Sequence, residues 1–229
     1  MKQQRFDLDC LRVAAFFIVF MLHTKITTNV IVGAEKWEAK YFFFDMPAWA
    51  GVWMFFLLSG FLTGQRLLKD DADLTDLGIL RFALEKIVKI GFPTWFFIFI
   101  IALIGFPDYL FDWKLLLRWL TFSYNGTPGV IGIGATWFVS TIMQLYFMAP
   151  FFYRWIRKLS QRKNGNYLCM GIFLLICILE LAGRVFAYRI GLDWFGLVYT
   201  VSIVNLDLFL VEFYAMCFVN LRKRIVARH

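Results

Sequence analysis

Apolar residues run along this chain in blocks long enough to cross a bilayer, and each block ends in charged or turn-forming residues. A spanning helix needs about 20 mainly apolar residues to cross roughly 30 Å of hydrocarbon. On that requirement the pattern predicts about six spans, from Leu11 to Val32, Pro47 to Leu68, Ile90 to Phe106, Thr136 to Trp155, Tyr167 to Phe186 and Trp194 to Val219. The third is short and can extend backward. The sixth carries Asp207 and Glu212 and reads as one tilted helix or a broken one. Between the third and fourth, Trp113 to Phe122 has the pattern of a short amphipathic segment lying on the surface, followed by the loop Asn125-Gly126-Thr127-Pro128-Gly129. The expected fold is all-α, a polytopic integral membrane helical bundle, with residues 1–229 forming a single domain.

Composition turns that pattern into an exclusion. At 61% hydrophobic and 20% aromatic, 229 residues cannot hide their apolar surface inside a water-soluble domain. Lipid is the missing partner. The net charge of +8 is distributed by topology. Lys and Arg collect before the first span, in the second loop, in the fourth loop (Arg154, Arg157, Lys158, Arg162, Lys163) and in the tail, so both termini are expected in the cytoplasm. Attraction to anionic lipid then accounts for the excess charge, and nucleic acid is not expected as a partner. A cleaved signal peptide is disfavoured for the first span, because Asp7 and Asp9 interrupt its basic flank and no small-x-small site follows Leu22. Cys10, Cys169, Cys177 and Cys217 lack zinc-like spacing, so no metal is expected and plain packing is their reading.

Polar side chains inside a membrane are costly and therefore usually functional. Arg12 and His23 are eleven positions apart, which on a helix is only about 20° beyond three full turns and about 16 Å along the axis. One face thus presents a cation near the cytoplasmic surface and an imidazole much deeper. His23 is the only histidine besides His229. A hydrogen-bonded histidine at the outer interface beside Thr24 remains an equal reading of the spacing alone. Asp9, three residues before Arg12, is placed to orient the guanidinium or to form a plain solvated pair with it.

The stretch Arg5-x-x-x-Asp9-x-x-Arg12, ten mostly apolar residues and then His23 resembles the first helix of the membrane-bound acyltransferase 3 family. Phe55-Phe56-Leu57-Leu58-Ser59-Gly60-Phe61 is similar to that family's second-helix signature, and Thr136-Trp137-Phe138 with Tyr146 and Pro150 to its later Trp-to-Tyr-to-Pro helix. The resemblance implies a plasma-membrane, multi-pass enzyme that takes an acyl group, usually acetyl from cytoplasmic acetyl-CoA, and delivers it to a sugar hydroxyl of a lipid-linked or exported polysaccharide. It maps the essential histidine to His23 and the arginine to Arg12. A neutral imidazole in a poorly solvated cavity can deprotonate the attacking hydroxyl or accept the acyl group itself, and both routes stay open.

Coenzyme A carries phosphates, and Arg66, Lys69, Arg81, Lys86 and Lys89 are the basic residues expected to meet them, although positive-inside topology predicts the same residues. The family often has two arginines three apart shortly before a proline at its third helix. Here Lys86, Lys89 and Pro93 occupy similar ground, with lysine for arginine and one extra residue before the proline. Ser59 and Gly60 read as a close-packing pair and not as a nucleophile. Glu180, Asp207 and Glu212 are acidic groups within apolar runs and candidates for proton movement. The family implied is longer, with more spans, so a short form or a chain lacking the family's C-terminal part is expected. The competing class is a transporter of a polysaccharide subunit or a proton-coupled carrier, against which stands the absence of evident repeated halves.

Overall fold

The computed structural model describes residues 6–23, 48–69, 75–124, 134–162, 164–192 and 205–211. Every regular element among them is helical, as expected. The α-helices are α1 (Phe6–His23), α2 (Ala48–Lys69), α3 (Asp76–Lys86), α4 (Phe92–Gly105), α5 (Trp113–Leu120), α6 (Trp137–Ser160) and α7 (Gly165–Arg189). A further helical stretch occupies residues 205–211. Four described segments are long and apolar enough to cross a membrane: Ala50–Leu68, Asp76–Gly105, Gly134–Leu159 and Tyr167–Arg189. They coincide with the second to fifth expected spans. The first span beyond His23, the loop at 125–129, Glu212 and all of the sixth span except 205–211 lie outside the described residues.

Two compact units divide between Ser59 and Gly60, within α2. In the first, α1 buries only Ala15 among its described side chains and turns Val13, Phe16, Phe17 and Phe20 outward, as a helix bordering lipid does. Its contact with α2 is made through small residues. A Cβ added to Gly51 would lie 2.8 Å from the Ala15 carbonyl oxygen and 2.9 Å from a Val19 methyl, so only glycine lets the two backbones approach this closely.

In the second unit the third span begins earlier than its hydropathy suggests. Thr75 caps α3 by accepting a hydrogen bond from the Gly78 amide (3.2 Å), and Asp76 stands in the positively polarised first turn. From there the helix continues through a π-helical turn, Ile87–Gly91, directly into α4. Pro93 supplies the reason for the wide turn. Proline lacks an amide hydrogen, and its ring crowds the carbonyl four residues earlier, so the backbone loosens ahead of it. The Phe92 amide bonds back to the Ile87 carbonyl, and the Thr94 hydroxyl to the Ile90 carbonyl at 2.7 Å. Residues Arg81 to Lys89, expected as loop, are thus helical, because Arg81, Glu85 and Lys89 follow the four-residue repeat of one helix face.

The surface segment is found where expected. Asp112 caps α5 by accepting from the Lys114 and Leu115 amides. Leu115 and Trp119 turn inward, Trp113, Leu117 and Leu120 are exposed and apolar, and Lys114 and Arg118 form a separate charged pair of positions. Three stripes facing protein, lipid and water suit a helix lying in the interface. The chain leaves α5 through Phe122, whose φ of 54° is positive. Its ring stacks on Trp95 with centroids 5.2 Å apart, its carbonyl accepts from Gln144 Nε2 (2.6 Å), and the Trp95 indole donates to the Trp119 carbonyl (3.1 Å). These contacts fasten α4, α5 and α6 together. Helix α6 is the inner helix, burying Thr141, Met143, Leu145, Ala149 and Tyr153 completely. Helix α7 packs beside it around a small apolar cavity lined by Trp155, Ile156, Cys169, Phe173 and Leu210.

Candidate active site

The first unit holds Asp9, Arg12 and His23, the residues expected from the sequence to be catalytic. Because α1 is a single helix from Phe6 to His23, the eleven-residue separation of Arg12 and His23 is measured along one continuous axis. Val19, four residues before His23 and seven after Arg12, shares their stripe and lies against Gly51 of α2. Arg12 donates to Asp9 Oδ1 at 2.7 Å, and both side chains are nearly half exposed. One N–H of a fork with five is committed; a pair this exposed orients the guanidinium more than it stabilises the fold. His23 is the last residue of α1, and its side chain lies outside the described set.

The second unit gathers part of the expected basic set around one carboxylate. Glu85 on α3 accepts from Arg66 of α2 through Oε2 and from Lys89, one turn later, through Oε1. Lys86 takes no carboxylate among the described residues. Its ammonium instead stands 3.6 Å from the centroid of the Tyr146 ring on α6 and 5.4 Å from that of Phe82, over which the Arg66 guanidinium also lies. Aromatic faces attract a cation without consuming its N–H donors, so Lys86 is held in place while remaining able to donate. Arg66, Lys86 and Lys89 thus stand together around Glu85 and the Phe82 and Tyr146 rings, three cations of the kind that can meet a phosphate. Arg154 of α6 reaches Asp76 at the start of α3 (3.3 Å) and ties these two helices at the far end of α3 from Lys86.

Of the five residues expected to meet phosphates, the structure therefore assembles Arg66, Lys86 and Lys89. Arg81 is exposed on α3 and takes no part among the described contacts. Lys69 ends α2, with its side chain outside the described set. Sequence reasoning did not foresee Glu85, Phe82 or Tyr146 as members. The Glu85–Lys89 spacing of four was a readable signal, whereas the contacts across nineteen residues to Arg66 and across sixty to Tyr146 depend on tertiary packing.

A model of the acyltransferase 3 family, described as an acyltransferase domain, matches residues 5–219, nearly the whole chain. The chain belongs to the acyltransferase 3 family. It is accordingly a membrane acyltransferase, a class of enzyme that works on an acyl donor. No curated protein and no solved structure matches it. The match spans α1 as well as the Lys86–Tyr146 cluster, so both of the places singled out above belong to this acyltransferase's family domain.

Proposed function

We propose that this acyltransferase moves an acyl group, acetyl in the simplest case, from cytoplasmic acyl-CoA to a sugar hydroxyl of a cell-surface polysaccharide or its lipid-linked precursor. Its setting is the plasma membrane, with both termini in the cytoplasm. The observation that carries the reading of the donor is the gathering of Arg66, Lys86 and Lys89 in one place, cationic side chains of the kind that meet the phosphates of coenzyme A. Lys86 serves as a positioned point charge, backed by Tyr146 and Phe82 in place of a carboxylate.

In this reading the sugar oxygen attacks the thioester carbonyl carbon, the carbon–sulfur bond breaks, and coenzyme A leaves as the thiol. The hydroxyl proton passes to the imidazole of His23 and from there to the departing sulfur, so no external acid or base is consumed. Alternatively His23 takes the acyl group first and hands it to the sugar, with the same balance. Asp9 orients the Arg12 guanidinium through one N–H, and in this reading Arg12 stabilises negative charge that develops on oxygen during the transfer.

Thiol release from acyl-CoA by the protein in membranes tests the proposal. Release that rises with added polysaccharide is expected, and His23→Ala should lower it by about 100-fold or more, the usual contribution of a positioned base. Arg12→Ala should lower it as well, with the membrane level of both variants unchanged. No release from folded wild-type protein, with several acyl-CoAs tried, would sink the proposal and favour a carrier.

A further inference from the structure

A second charged cluster, away from the donor residues, lies between α7 and residues 205–211. Arg184 bonds Asp207 through both carboxylate oxygens, at 3.1 and 3.2 Å, and lies 3.5 Å from Glu180 one turn earlier on α7. Glu180 Oε2 accepts the Asp207 amide at 3.3 Å, so a carboxylate from α7 caps the start of the short helical stretch. The Glu180 side chain is only 10% exposed, and its Oε1 is buried without a hydrogen-bond partner among the described residues. Without Arg184, two carboxylates would face each other in a poorly solvated site, so the guanidinium is what allows residues 205–211 to sit here.

Two residues beyond Asp207, Phe209 is completely buried and fixed on both sides. Its carbonyl presses on Gly60 of α2 so closely that an added Cβ would lie 2.1 Å from the oxygen. Its ring meets the ring of Tyr146 edge-on, with centroids 6.2 Å apart and planes at 75°. Tyr146 in turn is the ring under the Lys86 ammonium. The backbone at 209 has no room to move toward α2, and a shift the other way removes the edge contact between Phe209 and Tyr146.

We infer that the Arg184–Asp207–Glu180 cluster is a positioning clamp for the acyl-donor site, acting through Phe209 and Tyr146 on Lys86. The inference rests on the donor reading of the Lys86 cluster. None of the clamp residues touches the donor; Phe209 transmits the position of residues 205–211 to the Tyr146 ring.

The test is equilibrium binding of coenzyme A to the purified full chain in detergent, recording both the dissociation constant and the number of sites. A purely structural residue changes the number of competent sites, whereas a positioning residue changes the constant. Arg184→Met is expected to weaken binding about ten-fold with the number of sites preserved, Phe209→Ala to do the same, and the double variant to be no weaker than either alone, since residues acting in series are not additive. The exchange Arg184→Asp with Asp207→Arg should restore most of the affinity. If Arg184→Met does not yield monodisperse protein, Arg184→Lys, which keeps the charge and loses the fork, should weaken binding about three-fold. Lys86→Met separates the two ideas. Weak binding by Lys86→Met beside wild-type binding by the Arg184 variants, or losses that multiply in the double variant, would overturn the clamp alone. Wild-type affinity in Lys86→Met would remove the donor reading and the clamp with it.

Discussion

Helices α6 and α7 pack on one another and relate to polarity in opposite ways. The segment containing α6 has a mean hydropathy of 1.2 over its most apolar window, and 56% of that window is buried; for α7 the values are 2.2 and 6%. The more hydrophobic helix is the one the protein leaves uncovered. In water this would be an inversion, but lipid tails solvate leucine as well as a protein core does, so apolarity carries no instruction to be inside. Burial in the bundle is instead selected by groups that lipid cannot satisfy and by small residues that permit close approach. On α6 these are Ser140, Thr141, Gln144 and Ala149; on α7 the polar pair Glu180 and Arg184 is turned to the protein while Leu174, Ile178, Leu179 and Leu181 face outward.

That contrast can be broken most sharply at the centre of α6. Leu145 is fully buried, so Leu145→Ala opens a cavity that neighbouring helices have to line, and a loss of about 2–5 kcal/mol is expected in reversible unfolding from mixed micelles. A loss near zero would mean that α6 is not the packed helix. Ile178→Lys tests the other partner from the lipid side. At the middle of α7 and 62% exposed, the new charge should cost roughly 2.5–3.5 kcal/mol of insertion in a glycosylation-tag or protease-protection assay, although a water-facing position would accept lysine freely. The smallest effect is expected for Leu179→Ala, which exchanges one lipid-solvated side chain for another and should stay within about 0.5 kcal/mol in the same unfolding measurement. A cost equal to that of Leu145→Ala would place a partner over the outer face of α7.

Hydropathy made α2, α6 and α7 legible to within a few residues, because each is a long apolar block with clear ends. Trp113 to Phe122 was legible too, since the cap residue Asp112 and the alternation of Leu, Lys and Arg are local features. The start of the third span was not. Arg81, Glu85, Lys86 and Lys89 look like loop to a hydropathy window, yet a helix accepts them when Glu85 neutralises its neighbours and Thr75 supplies the cap. The candidate donor site was half legible for a related reason. Residue type and the family pattern pointed to Arg66, Lys86 and Lys89, but nothing local distinguishes Lys86, which rests on Tyr146, from Arg81, which stays outside. Likewise nothing local marks the partners of Arg184, near the end of the fifth expected span, and only the approach of residues 205–211 shows that it pairs with Asp207 and Glu180.

The π-helical turn at Ile87–Gly91 fits one residue more between Lys86 and Pro93 than a regular α-helical turn would. An insertion into a regular helix turns everything beyond it by about 100°, which would swing either Lys86 off Tyr146 or Trp95 off Phe122. A bulge absorbs the added residue within one turn, so the charged and aromatic ends of the same rod keep independent angular settings. The helix behaves as two keys cut on one shaft, and the sequence on either side of the bulge is free to change its phase without spoiling the other.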